Sequence, residues 1–186
     1  AGGRAVVNGA DVADFDQAAA MVQQAITTYG GLDILVNNAG FVRDRMLVNT
    51  SEEEWDAVIA VHLRGHFLLT RNAAAYWRAK AKQGDGTVYG RIVNTSSEAG
   101  LSGPVGQPNY GAAKAGITAL TLSAARALER FGVRANAIAP RARTAMTAGV
   151  FGDAPELQQG QVDPLSTDHV VTLVRFLSSP ASEAVN

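Results

Sequence analysis

The sequence contains no cysteine and only three histidines and three lysines. Without thiols, disulfides, thiolate zinc sites and cysteine nucleophiles are excluded. Imidazole can come only from His62, His66 and His169. His62 and His66 stand at helical i, i+4 spacing, but no H-E-x-x-H pattern and no carboxylate at ligand spacing accompanies them, so no metal site is expected. An excess of one charge is missing too, with 16 basic against 17 acidic residues and a net charge of -1. Nucleic acid and anionic membranes both require a basic face or tail, so neither is expected as a partner. No apolar run approaches the roughly 18 residues of a transmembrane helix. The first residues lack a signal peptide's basic and apolar regions, and the expectation is a soluble, cytoplasmic protein.

What is present alternates. The short apolar runs "AVV" (5–7), "DILVN" (33–37), "RIVNT" (91–95) and "VRANAIA" (133–139) read as strands, and the middle two are apolar on both faces, as in a covered parallel sheet. Helical periodicity occupies roughly 14–29, 51–80, 107–130 and 167–178. Strand and helix in turn specify right-handed βαβ units and a doubly wound α/β fold, here one domain over 1–186. Between 147 and 165, Gly149, Gly152, Pro155, Gly160 and Pro164 break any period, which predicts a mobile loop able to cover a substrate.

In open parallel sheets, ligands bind beyond the carboxyl ends of the strands. The stretches around Asp11, "NNAG" (37–40), "SSEAG" (96–100) and "PRART" (140–144) each follow a strand and so reach one rim. Tyr110 and Lys114 in "YGAAK" lie four apart on a helix that starts at that rim, about 5 to 6 Å apart at Cβ. With four tyrosines and three lysines, such a spacing should arise by chance only about 0.06 times. It occurs twice, the second copy being Tyr76 and Lys80 in "YWRAK". That copy falls near the far end of a helix about 45 Å long, away from the rim, and reads as a surface pair. For Tyr110 the pairing has a chemical rationale. An ammonium within about 4 Å, at an effective dielectric near 20, favours phenolate by up to about 4 kcal/mol and draws a phenol pKa of about 10 toward neutrality. Ser97, just past its strand, could hydrogen-bond the same substrate oxygen or simply cap the next helix.

Taken together, "LDILVNNAG", "GRIVNTSS", "YGAAKAG" and "NAIAP" resemble the short-chain dehydrogenase/reductase family, in that order and over nearly the whole chain. The resemblance implies a Rossmann-like fold and hydride transfer between NAD or NADP and a ketone or secondary alcohol. It implies that Tyr110 passes the proton and Ser97, thirteen residues earlier, orients the oxygen. Lys114 would lower the tyrosine pKa and hold the nicotinamide ribose. Asp11 and Val12 would meet the adenine, Asn37, Ala39 and Gly40 would lie along the cofactor, and Pro140 and Thr144 would touch the carboxamide. Gly40 also has its own rationale, since a residue without Cβ lets the backbone approach a ligand. The partner implied is a small carbonyl or alcohol, with a homo-oligomer, dimer or tetramer, as the assembly.

Three departures from the family pattern stand out. His62 in "VHLRG" replaces an asparagine that helps pass protons to solvent; it is either a relay or a core histidine on the stripe of Trp55, Ile59 and Leu69. Arg141 in "PRART" stands where glycine is common, and with "VHLRG" it makes the chain most similar to the hydroxyacyl-CoA dehydrogenase-like branch, hence a 3-oxoacyl or 3-hydroxyacyl thioester. The family's glycine-rich phosphate loop, first strand and last strand have no counterpart in these residues. They are therefore expected to bind a dinucleotide weakly by themselves, and the choice between NAD and NADP is unread. The alternative to an enzyme is a non-catalytic member that serves as a binding or assembly module.

Overall fold

The computed structural model describes residues 2–156, 158 and 160–186. Helix α1 (Phe15–Tyr29) starts at Asp14, whose carboxylate accepts the Gln17 N–H, and stops at Gly30, whose φ of 83° lets its N–H close back on Ile26 O. A full capping box, Ser51 with Glu54, opens α2 (Glu52–Ile59). The chain stays helical through a π turn at Ala60–Arg64 and on into α3 (Gly65–Gln83). The single long helix expected over 51–80 is thus three pieces, with the wider turn at His62.

Three parallel strands form one sheet in the order β1 (Ile34–Asn37), β2 (Gly90–Thr95), β3 (Val133–Ile138). Leu35 pairs with Ile92, and Ile92 with Ala135. Alternate residues of β2 serve opposite faces. Ile92 packs with Ala73, Trp77 and Leu128 of α3 and α5 (Pro108–Leu128), while Val93 packs with Leu177 of α7 (Thr167–Leu177). Covered on both faces, β2 is buried almost throughout. This is the Rossmann-like α/β arrangement that the alternation predicts.

The strand expected at 5–7 does not form. Residues 2–9 are exposed and no strand among the described residues runs beside them, so their backbone groups gain nothing from an extended conformation. One face of β1 is likewise uncovered, with Ile34 and Val36, two residues apart, both exposed. Among the described residues of the 147–165 segment the one regular element is the short α6 (Ala148–Phe151); Leu157 and Gln159 lie outside the described residues.

A polar seam crosses the interior. The Asn37 amide donates to Asn94 Oδ1 (2.9 Å) and Thr70 Oγ1 (3.2 Å), and the Asn94 amide donates to Thr121 Oγ1 (2.9 Å). It ties β1, β2, α3 and α5 together at the level where the strands end.

Candidate active site

Beyond Thr95 the β2 strand yields two serines with opposite fates. Ser96 is buried, with its hydroxyl on Lys114 O (2.9 Å) and Thr118 Oγ1 (2.8 Å). Ser97 turns to the open side, accepts the Ala99 N–H (3.2 Å) and lies near enough to the Tyr110 hydroxyl to favour its phenolate. The helix that carries Tyr110 comes close because α4 (Ala99–Ser102) and α5 meet at glycines. A Cβ at Gly100 would lie 2.6 Å from Ala115 N, and one at Gly111 would lie 3.2 Å from Ala99 O.

Lys114, one turn on, is buried, and its ammonium donates to Thr95 O. It stands 5.4 Å from the centre of the Tyr110 ring. Burial lowers the Lys114 pKa to about 8. The Tyr110 phenol is raised: burial dominates, the nearby Ser97 hydroxyl opposes it, and the carboxylate of Asp44 adds to it. This corrects the expectation of a lysine-depressed phenol. The ammonium is committed to Thr95 O and is too far off to outweigh the desolvation of the ring.

The π turn aims His62 under the loop after β1. Its Nε2 lies 3.0 Å from Phe41 N and 2.7 Å from Phe41 O, so it accepts from one or donates to the other according to tautomer, while Nδ1 is buried without a partner. Its ring meets Tyr110 edge-on, 5.3 Å between centroids. Burial lowers the His62 pKa, against the bond to Phe41 and with help from the nearby Lys114 charge. A Cβ at Gly40 would lie only 2.2 Å from His62 Cε1. The close approach that Gly40 permits is therefore to an imidazole of the protein itself.

Seven of the anticipated residues, Gly40, His62, Ser97, Tyr110, Lys114, Pro140 and Thr144, line one cavity of about 410 Å³. A second, of about 280 Å³, shares Ser97, Tyr110, Pro140, Met146 and Thr147 with it, and its wall sets the apolar Val42, Val150 and Phe151 beside the charged Asp44, Glu98 and Arg141. The two meet at the serine and the tyrosine. Val12, Asn37 and Ala39 line a smaller neighbouring hollow of about 130 Å³, although Asn37 spends its amide on the interior seam. Asp11 is exposed, lines none of these cavities, and caps its own turn by accepting from Ala13 N (2.8 Å). Tyr76 is half-buried beside Gly31, at the opposite end of the sheet.

Four supports surround these residues, and of their members the sequence patterns single out only Arg141 and His66, without the roles they have here. Asn109 is fully buried and donates to Arg43 O and Glu54 O, pinning the loop after β1 to the start of α5. Gln107 donates to Asp44 Oδ1 (3.0 Å) across the same gap. Glu98 and Arg141 form a bidentate ion pair at the rim. His66 is buried, with Nε2 unpaired and its pKa lowered by burial to about 4. For Asn109 the available signal was its place just inside the start of α5.

Residues 1–154 match the short chain dehydrogenase family. The chain belongs to that family. Among relatives of this short-chain dehydrogenase, the hydroxyacyl-CoA dehydrogenase ChsB1 of Mycobacterium tuberculosis is 68% identical over 100% of this chain and 59% of its own length. The 3-oxoacyl-[acyl-carrier-protein] reductase FabG of Thermotoga maritima is 39% identical over 94% of this chain and 70% of its own. A crystal structure of a short chain dehydrogenase from Mycobacterium avium superposes with a TM-score of 0.87 at 56% identity, covering all of this chain and 60% of that one. The chain thus spans about three fifths of the first of these relatives.

Proposed function

We propose that this short-chain dehydrogenase is an NAD(P)-dependent oxidoreductase that interconverts a 3-oxoacyl and a 3-hydroxyacyl thioester. The observation that carries the reading is the junction of the two cavities at Ser97 and Tyr110, with Lys114 directly behind. Two relatives whose names specify hydroxyacyl-CoA and 3-oxoacyl-carrier substrates support the thioester class.

The 410 Å³ cavity suits the nicotinamide end of such a cofactor in size, and its donors suit a ribose. The Lys114 ammonium spends one N–H on Thr95 O, which leaves two for vicinal hydroxyls, and Thr144 at the far wall adds a hydroxyl. When bound, the nicotinamide supplies or accepts the hydride. The chain handles the proton. Tyr110, protonated at neutral pH because burial raises its pKa, donates from Oη to the carbonyl oxygen during reduction, and Ser97 Oγ hydrogen-bonds the same oxygen. The Lys114 charge then stabilises the phenolate left behind. The second cavity receives the acyl group, and residues 147–165 act as the loop that covers it.

For assembly, the exposed Leu47, Leu101 and Val105, which line an apolar groove over α4 and α5, supply the contact face of a homo-oligomer, a dimer or tetramer. Light scattering on the purified protein tests this. The activity test is the loss of reduced nicotinamide absorbance when the full-length protein meets a 3-oxoacyl thioester with NADH or NADPH. Turnover with at least one cofactor is expected, and none with either overturns the proposal.

A further inference from the structure

The pair formed by Glu98 and Arg141 is the feature of the site that the chemistry above leaves unused. Arg141 Nε lies 3.1 and 3.0 Å from the two Glu98 oxygens, and Nη2 lies 2.9 Å from Oε1, a bidentate fork. Each partner adjoins a residue that lines both cavities: Glu98 follows Ser97, and Arg141 follows Pro140. The backbone link from Ser96 N to Ile138 O (2.8 Å) is the last rung between β2 and β3. Past it, one chain enters α4 and the other runs toward Met146 and α6. Among the described residues, this ion pair is the one hydrogen-bonded tie between segments 97–104 and 140–147. Both members line the 280 Å³ cavity, so the fork is part of its wall.

We propose that Glu98 and Arg141 form a specificity-determining latch, which fixes how far the acyl cavity opens between the ends of β2 and β3. This rests on the functional reading above. A fork with two in-line contacts is stiff, whereas its partners, more than half exposed, add little to global stability. Breaking it should therefore alter the opening and leave the fold in place. The latch selects against bulk: closed, it restricts branched or long acyl groups and leaves short ones free to reach Ser97 and Tyr110.

The test uses the full-length protein and a series of 3-oxoacyl thioesters from four carbons to long and branched chains. For each variant the readout is the ratio of kcat/KM for the bulky over the four-carbon substrate, a quotient in which effects on cofactor binding and folded fraction cancel. Arg141→Gly and Glu98→Ala should each raise that ratio at least tenfold, and the charge exchange Glu98→Arg with Arg141→Glu should return it to within about threefold of wild type. High salt should move the wild-type ratio toward that of Arg141→Gly and leave the variant unchanged, because exposed charges are screened. A ratio unmoved by either single substitution, or one that the exchange does not restore, overturns the latch alone. A wild type inactive on every thioester overturns the functional reading and the latch with it.

Discussion

Burying a phenol and an ammonium together drives their pKa values apart from their ordinary order: Tyr110 rises and Lys114 falls to about 8. Reduction calls for a protonated phenol and a charged lysine behind it. Lys114 carries its proton below about pH 8 and loses it above, so kcat/KM for reduction should show an alkaline limb near that value. A profile in which the limb appears only above about pH 10 contradicts this role for Lys114. Tyr110→Phe should lower kcat by about a hundredfold or more, whereas Tyr76→Phe, at the other end of the sheet, should leave it near wild type. Steady-state rates of the two variants decide it, and equal losses sink the assignment. Gly40 and His62 form a second coupled pair. Gly40→Ala should cost about 1 to 3 kcal/mol, because its methyl would enter the space of the His62 ring. In a His62→Ala background the same change should cost clearly less, which urea midpoints of the four combinations measure.

At the scale of elements, the α4 and α5 crossing sets the distance between serine and tyrosine. Gly100→Ala puts a methyl 2.6 Å from a backbone nitrogen that cannot rotate away, so the helices must part. Lower kcat and a lower Tm together are expected, and a variant with a normal Tm and normal kcat refutes the claim that this contact positions the site. The alternation of strands and helices, the parallel sheet and the place of Tyr110 and Lys114 at one rim were legible from the sequence, because periodicity and strand-end placement are local patterns, whereas Ser97 stood out from Ser96 only through the family resemblance. Three things were not. The π turn at 60–64 keeps the helical period nearly intact, so nothing in "AVHLR" announces the wider turn. The Lys114 to Thr95 O bond spans nineteen residues and exists only once β2 and α5 are docked, which is why the lysine's effect on the phenol was misjudged. The run from Ala5 to Val7 failed because a strand's stability comes from its neighbours rather than its own apolarity.

For the molecule as a whole, the buried imidazole of His66 couples folding to acid. Its pKa falls from 6.5 to about 4 on burial, so the folded state holds it neutral while the unfolded chain protonates it. The stability it permits is intact above pH 6.5 and is lost as pH falls toward 4, up to about 3 kcal/mol over that window. His62, lowered in the same direction, adds to the slope. Urea unfolding at neutral and mildly acidic pH should show a smaller acid loss for His66→Leu than for wild type, and parallel losses would exclude His66 as a source.

The contacts that join β2 to α5 also bear on the order in which the protein assembles. Ser97 meets Tyr110 and Thr95 O meets Lys114 across short stretches of chain, whereas Glu183 must return from the far end of the sequence to reach Arg91. Short loops close at small entropic cost, so residues 90–128 can collapse into their final arrangement before the carboxyl-terminal segments arrive. Amide exchange should then find the slowest protons in β2 and the first turns of α5. The reacting groups would sit in the earliest and most persistent part of the structure, while the segments that follow β3 join last.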